Sequence, residues 1–569
     1  MTDPRPWLAQ YAPGVPHEVE VPDRSLVDLL DDAARRVPDR AALDFLGGTT
    51  TYAELAAAVD RGAEVLRAAG VTAGDRVALV LPNCPQHVVA FYAALRLGAV
   101  VVEHNPLYTA DELEQQFADH GARVVVAWDK VVPVVDERRG STAVETVFAV
   151  DLTRALPWTK RLALRLPVAR ARATREAMTG PAPGARDWDR EVAAAAPVSS
   201  GHPRPAPTDV ALLQYTGGTT GAPKLAILSH RNLLANVLQS RAWVPGLRDG
   251  DEVFYGILPL FHAYGLTLCL TTAVSIGATI VLFPRFDVDQ VLDATRRRPP
   301  TFLPAVPPVY ERLAERAEAT GADLSSVRYA ISGAMSLPPA IVERWEAVTG
   351  GLLVEGYGMT ETSPIALGNP MSSARRPGTV GVPFPSTEIR VVDPEDPDTD
   401  RPVGEAGELL IRGPQVFAGY WNRPQETARA LHAGGWVRTG DVVVQDADGF
   451  VTVVDRIKEL IITGGFNVYP SEVESVLRLA PEVDDAAVVG VPGAGGGEEV
   501  VAAVVWRGEP GEPERLRAHC REHLAGYKVP RRVVAIDALP RTQIGKVLRR
   551  EVRDSVTATA DRDPGDRDG

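Results

Sequence analysis

The sequence predicts an α/β protein: a large N-terminal domain of two stacked α/β subdomains plus a small β-barrel, followed by a small α+β C-terminal domain. Three observations lead there. At 569 residues the chain is too long for one core. From Thr51 to Tyr357, helical stripes alternate with short, nearly continuous apolar runs, the pattern of parallel strands buried on both faces. Between Gly378 and Phe450 the pattern changes to short alternating strands with turns, and after Asp455 a smaller α+β pattern takes over.

Taken in order, the first 22 residues are proline-rich and read as extended, so order is expected from about Ser25. Thr51 and Glu54 form a capping box, Leu55, Val59, Ala63 and Leu66 line one helical face, and Gly70 stops the helix. Strand Arg76–Leu81, a helix over Gln86–Leu97 and strand Ala99–Val102 follow. Thr109 and Glu112 repeat the capping box, and Arg123–Trp128 is another apolar strand. Residues 153–178 differ: seven basic side chains are interleaved with Leu162, Leu164, Leu166 and Val168. A basic amphipathic segment can lie on an anionic membrane, but Pro157 and Pro167 break its periodicity, so a solvated helix at the domain edge is the main expectation. A Pro/Gly-rich connection over 180–207 leads to Gln214–Lys224.

Further on, Gly256 to Pro284 carries no Asp, Glu, Lys or Arg, yet Pro259, Gly265 and Gly277 break it, which predicts a buried helix and then a core strand, Ala278–Phe283. Asp446–Gly449 lacks the spacing of a calcium loop and reads as a hairpin turn. The domain expectation is 1–454, then 455–458, then 459–555, with 556–569 as a disordered polar tail.

A net charge of −14 argues against nucleic acid as a partner. Cys84, Cys269 and Cys520 are too far apart to suggest a disulfide framework or a zinc site, and the first residues lack the basic and apolar regions of a secretory signal. The expected location is cytoplasmic, with contact at the inner face of the membrane through 153–178 and assembly as a homodimer left open.

The chemistry concentrates in Gln214–Lys224. Glycines let a backbone point successive N–H groups at a phosphate, threonines add donors, and Lys224 adds a compact charge. The stretch reads as a phosphate cradle, the alternative being an exposed Gly/Thr turn. It is not a Walker A loop, because Leu225 stands where the Mg²⁺-holding hydroxyl would be.

With Ser229–Asn232 after it, this loop resembles the signature of the acyl-adenylate-forming enzymes, the superfamily of acyl-CoA synthetases, adenylation domains and luciferase. Members usually carry glycine at the Leu225 position, so altered loop flexibility is an expectation. The resemblance implies nucleotide contacts from Thr216, Gly217, Gly218, Thr219, Thr220, Gly221 and Lys224, and an adenine-pocket strand end at Gly333 and Ala334. In the run Tyr357-Gly358-Met359-Thr360-Glu361 it implies Tyr357 on the adenine, Thr360 at phosphate and Glu361 on Mg²⁺. Asp441 matches a ribose clamp and Arg456 a ribose or phosphate contact; Lys458 matches a hinge, and Gly464, Gly465 and Phe466 a loop that faces CoA. His262 matches an acyl-pocket position, with no proton-transfer role assigned to it, and Leu266 stands at the pocket position where some long-chain members place a gating tryptophan, which leaves chain length open. Lys546 matches the lysine that reaches between carboxylate and α-phosphate, and with Thr360 and Glu361 completes the expected catalytic set. Because Lys546 and the 464–466 loop share the small domain, that domain is expected to be mobile.

The implied substrates are ATP, CoA and a carboxylic acid, with Mg²⁺. The N-terminal half is similar to bacterial long-chain fatty acyl-CoA synthetases, notably in Asn105–Thr109 and Leu213–Asn236, which favours a medium- or long-chain fatty acid. A CoA ligase for aromatic or other acids, a carrier-protein thiol as acceptor, and a catalytically silent nucleotide binder are the alternatives.

Overall fold

A computed structural model describes residues 5–216, 223–463, 466–493, 498–542 and 545–562. The alternation read from the sequence forms two large sheets. In the first, strands Arg186–Asp187, Thr146–Val150, Val124–Trp128, Arg76–Val80, Val100–Glu103 and Val210–Thr216 run parallel, and Lys224–Ser229 closes one edge antiparallel. In the second, a parallel core runs Leu352–Gly358, Tyr329–Ser332, Phe302–Ala305, Val253–Gly256, Thr279–Leu282 and Ala41–Phe45, and antiparallel strands flank it on both sides. Loops at the C-terminal ends of such strands are where ligands bind.

Helix Tyr52–Ala68 starts on the expected box, Thr51 Oγ1 accepting from Glu54 N while the Glu54 carboxylate accepts from Thr51 N. Thr109 and Glu112 cap Ala110–His120 in the same way. Helical residues 263–275 are fully buried and lead into strand Thr279–Leu282. Among the described residues no helix is long and apolar enough to cross a membrane.

Three expectations need correcting. Order begins well before Ser25: Pro6–Gln10 is a 3-10 helix with Trp7 buried, and Tyr11 Oη donates to Pro383 O at 2.7 Å. The antiparallel unit is a five-stranded sheet centred on Trp436–Gln445, with Glu388–Val392, Ala406–Arg412, Leu431–His432 and Val451–Arg456. Among the described residues no pair joins Glu388–Val392 to Val451–Arg456, so its hydrogen bonding does not close into a barrel. Asp446–Gly449 is indeed its hairpin turn, Gly449 N donating to Asp446 O. Finally, of the disordered tail expected over 556–569, the part up to Arg562 belongs to a helix, Arg549–Arg562, because Val552 and Val556 are buried against the small sheet, while 563–569 lie outside the described residues.

That sheet pairs Val483–Pro492 antiparallel with Glu498–Trp506, which runs parallel to Arg532–Ala535. Its strands alternate between two cores: Ala486 and Val488 face one, Ala487 and Val489 the other. Neither core is continuous with the large one, whose buried residues run from Trp7 to Val451.

Candidate active site

Strands Val210–Thr216 and Lys224–Ser229 hold the two ends of the signature loop side by side, Thr216 opposite Lys224. Gly217, Gly218, Thr219, Thr220 and Gly221 lie outside the described residues. Leu225 belongs to the strand rather than the loop: its side chain is buried with Val100, Val102 and Leu213. Its carbonyl accepts from Trp421 N at 2.8 Å, so this departure from glycine adds core.

Lys224 places Nζ 4.9 Å from the centre of the Tyr420 ring, and Tyr420 Oη donates to Glu361 Oε1 at 2.5 Å. Glu361 is held in a single 3-10 turn, Thr360–Thr362, directly after strand Leu352–Gly358. Gly358 has to be glycine, since a Cβ there would run into the Pro364 carbonyl oxygen. Burial raises the Glu361 pKa, against the Tyr420 hydrogen bond and the charges of Arg456 and Lys224. A buried carboxylate held up in this way gains stabilisation from an added cation. Its hard oxygen donor suits Mg²⁺.

Beside it lies a second constellation. Tyr357 Oη donates to Asp441 Oδ2 at 2.5 Å, and Arg456 Nε lies 2.9 Å from Asp441 Oδ1. Asp441 and Arg456 face one another across paired strands, which fixes their contact by register. Desolvation, with the Asp441 charge added, pushes the Tyr357 pKa well up, so its hydroxyl stays a donor. Each Asp441 oxygen keeps a further lone pair for another donor.

Gly333 and Ala334 follow strand Tyr329–Ser332, and Ala334 takes a left-handed φ of 67°. A Cβ on Gly333 would meet the Tyr264 ring at 3.0 Å, while Tyr264 Oη donates to Ile331 O at 2.7 Å. This turn therefore rests directly on the Pro259–Gly265 run. Within that run, His262 Nδ1 accepts from Tyr264 N at 3.3 Å, and desolvation lowers its pKa to about 4, leaving a neutral ring at pH 7. Leu266 is fully buried and opens a π-helical stretch, Leu266–Thr271, a local widening often found at functional sites.

Lys546 comes from the small domain. Gly545 beside it is so close to Met335 that a Cβ would sit 2.5 Å from Sδ, which sets this turn against the residue after Ala334. Burial, then the Arg456 charge, lowers the Lys546 pKa to about 8, while Glu459 and Asp441 oppose the shift. Arg549 Nε lies 2.7 Å from Glu459 Oε2, and its guanidinium also pairs with Glu474. Lys458 is exposed on the 3-10 turn Ile457–Glu459. Phe466 opens strand Phe466–Val468; Gly464 and Gly465 lie outside the described residues.

The structure thus gathers Lys224, Glu361, Tyr357, Asp441, Arg456 and Lys546 into one region. The contacts of three further residues escape a reading by motif. Tyr420 links Lys224 to Glu361, and its signal was the Gly-aromatic run Gly419-Tyr420-Trp421. Gln214 donates from Nε2 to Phe261 O at 3.0 Å. Asn83 donates from Nδ2 to Gly256 O and Leu258 O, and its Oδ1 accepts from Leu260 N. Nothing local to Asn83 signals this.

A lysine of the small domain thus lies half-buried near the Asp441–Arg456 pair, and the comparisons with known proteins place the chain among the AMP-forming acid–CoA ligases. The chain belongs to the AMP-binding enzyme family, which matches residues 30–421, with the AMP-binding enzyme C-terminal domain matching 472–546. It is 37% identical over 562 residues to a long-chain-fatty-acid–CoA ligase of Bacillus subtilis (strain 168), covering 98% of this chain and 99% of that one. It is also 37% identical over 523 residues to a feruloyl-CoA synthase of an Amycolatopsis species, covering 91% and 96% respectively. Among solved structures, ATP-bound MatB from Rhodopseudomonas palustris superposes with a TM-score of 0.81 at 31% identity, over 94% of this chain and 99% of that one.

Proposed function

We propose that this protein is an ATP-dependent fatty acid–CoA ligase for medium- or long-chain acids, working through an acyl-AMP intermediate. The observation that carries the reading is Lys546, which the small domain brings, half-buried, near Asp441 and Arg456. A carboxylate oxygen attacks the α-phosphorus of ATP; the bond to pyrophosphate breaks and acyl-AMP remains. The CoA sulfur then attacks the acyl carbon, AMP leaves, and the thiol proton passes to solvent.

Lys546 would reach between the incoming carboxylate and the α-phosphate, offsetting the repulsion between two anions. Lys224 and Thr360, with the glycines and threonines of 216–221, would hold the phosphates, and Glu361 would hold Mg²⁺, which supplies charge neutralisation at them. Asp441 and Arg456 would take the ribose hydroxyls, and Tyr357, Gly333 and Ala334 the adenine. His262 and Leu266 would line the acyl recess. The backbone around Lys458 would act as hinge between the large domain and 459–555, turning Gly464, Gly465 and Phe466 toward CoA. A homodimeric assembly at the cytoplasmic face of the membrane completes the proposal.

An aromatic acid is the second reading, which the feruloyl-CoA synthase relative favours. Pyrophosphate release measured over a panel of fatty and aromatic acids, with acyl-AMP and acyl-CoA read by mass, separates the two. Release confined to fatty acids, with acyl-CoA formed once CoA is added, is the expected result. Release with aromatic acids alone moves the assignment to the second reading, and none with any acid sinks both.

A further inference from the structure

Ten large apolar side chains stand exposed among the described residues, and four of them, Trp158, Leu162, Leu166 and Val168, fall within eleven consecutive positions. Trp158 is 75% exposed. Trp158 and Leu162 share a face of the six-residue helix Trp158–Ala163, and Leu166 and Val168 stand exposed in the bend after it. In the twenty residues 158–177, all but Leu164 and Ala171 are exposed.

The same stretch is strongly basic. Lys160, Arg161, Arg165, Arg170, Arg172 and Arg175 stand against the single Glu176, a net charge of +5 in a chain of −14. None of these five arginines meets a carboxylate within salt-bridge distance among the described residues, whereas many other arginines of the chain do. Surface arginines left without carboxylates keep their full charge for an external anion.

The ends of the stretch are fixed. Leu152, Leu156 and Met178 are buried, Trp128 Nε1 donates to Met178 O at 2.9 Å, and Lys160 Nζ donates to Leu46 O at 2.7 Å. The segment is therefore a strap laid from the seven-stranded sheet to the Ala41–Thr51 hairpin at the edge of the nine-stranded sheet, tied at both ends. Helices with an apolar row and unpaired arginines lie in the interface of an anionic bilayer, with tryptophan at the headgroup level.

We infer that residues 158–177 form a docking strap for an anionic lipid surface, inserting Trp158, Leu162 and Leu166 while the arginines meet lipid phosphates. Nucleic acid would use the charge but would leave the aliphatic row exposed, and the acidic remainder of the chain would repel it. The inference does not depend on which acid is activated.

Sedimentation of the full chain with phosphatidylcholine vesicles, with and without phosphatidylglycerol, tests it. Binding is expected only to the anionic vesicles, weakening in high salt. One arginine near such a surface contributes about 1 kcal/mol, so Arg161→Gln/Arg165→Gln should weaken partitioning about 25-fold. Trp158→Ser/Leu162→Gln should weaken it by at least about tenfold, from the apolar area lost. Pyrophosphate release with a short soluble acid and unchanged thermal melting show that the variants remain folded. Wild-type binding that is absent, or equal on neutral vesicles, or unchanged in both variants, overturns the strap. So does a loss of dimer by light scattering in Trp158→Ser/Leu162→Gln with vesicle binding intact, which would give the surface to a second copy. If no acid is activated while anionic vesicles still bind, the ligase reading fails and the strap stands.

Discussion

In its proposed role Lys546 would act as a cation between two anions, and burial, then the Arg456 charge, lowers its pKa to about 8. The sign follows directly: charge is present below about pH 8 and is lost as pH rises through it, so adenylate formation should decline above pH 8. Conversion of pre-formed acyl-AMP with CoA should not share that limb. Lys546→Ala should cut pyrophosphate release by roughly 10²–10³-fold, the usual cost of one preorganised charge at a transition state, and leave the thioester half-reaction largely intact. Equal loss of both half-reactions in stopped single-turnover assays would contradict the role. Glu355, one position before Gly356 on the same strand as Tyr357, carries the opposite kind of shift: desolvation raises its pKa to about 8. The folded chain therefore keeps a proton that the unfolded chain loses near pH 4.5, and this group's contribution to stability falls as pH rises from about 4.5 to 8, by about 1.4 kcal/mol per unit. Glu355→Gln should flatten the pH dependence of the melting temperature over that window; a profile parallel to the wild type would remove Glu355 as its source.

Elements whose signals are local were legible. The capping boxes at Thr51 and Thr109 are complete within four residues, and the apolar run Arg123–Trp128 forms the buried strand that its own side chains predict. The expected nucleotide groups Tyr357, Asp441 and Arg456 were also named from motifs and meet in space. What could not be read is what depends on distant partners. The N-terminal segment is ordered because Tyr11 and Val19 bond to Pro383 and Ser386, more than 360 positions away, and the tail helix because Val556 finds the small sheet. Asn83 is the clearest case: from the end of one sheet it fixes the Gly256–Leu260 backbone of the other with three buried hydrogen bonds of 2.8–2.9 Å. Asn83→Ala would orphan those groups, at about 1–3 kcal/mol for each one left unsatisfied, and loosen the run carrying His262. A raised KM for the acid is expected, with the KM for ATP unchanged and the melting temperature lowered. A fall in ATP affinity of the same size would place the effect at the nucleotide instead.

On the scale of the whole molecule, the two sets of expected groups on the small domain make competing demands. Gly545, beside Lys546, sits against Met335 in this structure, and Lys546 feels the Asp441 charge, whereas in the proposed function residues 464–466 would face CoA in the second half-reaction. One rigid body cannot satisfy both in turn unless the chain rotates between the large core and the small ones, and the short turn Ile457–Glu459 is where those cores separate. Across that turn the small domain meets the large one through the close approach of Gly545 to Met335 and the hydrogen bonds that Ser471 N and Oγ donate to Asp455, and since the cores are not continuous, a rotation there disturbs little hydrophobic burial. Proline fixes φ near −65°, and placed at an exposed hinge position it removes rotation without removing a side chain the site uses. Lys458→Pro should therefore keep ATP-dependent pyrophosphate release within about threefold of wild type while slowing acyl-CoA formation by about tenfold or more, the cost of blocking a gating rotation that precedes chemistry. Acyl-AMP should accumulate on the enzyme and be visible by mass after a single turnover. If both half-reactions fall together, the turn supports the nucleotide site itself; if neither falls, the rotation has its axis elsewhere in 455–460.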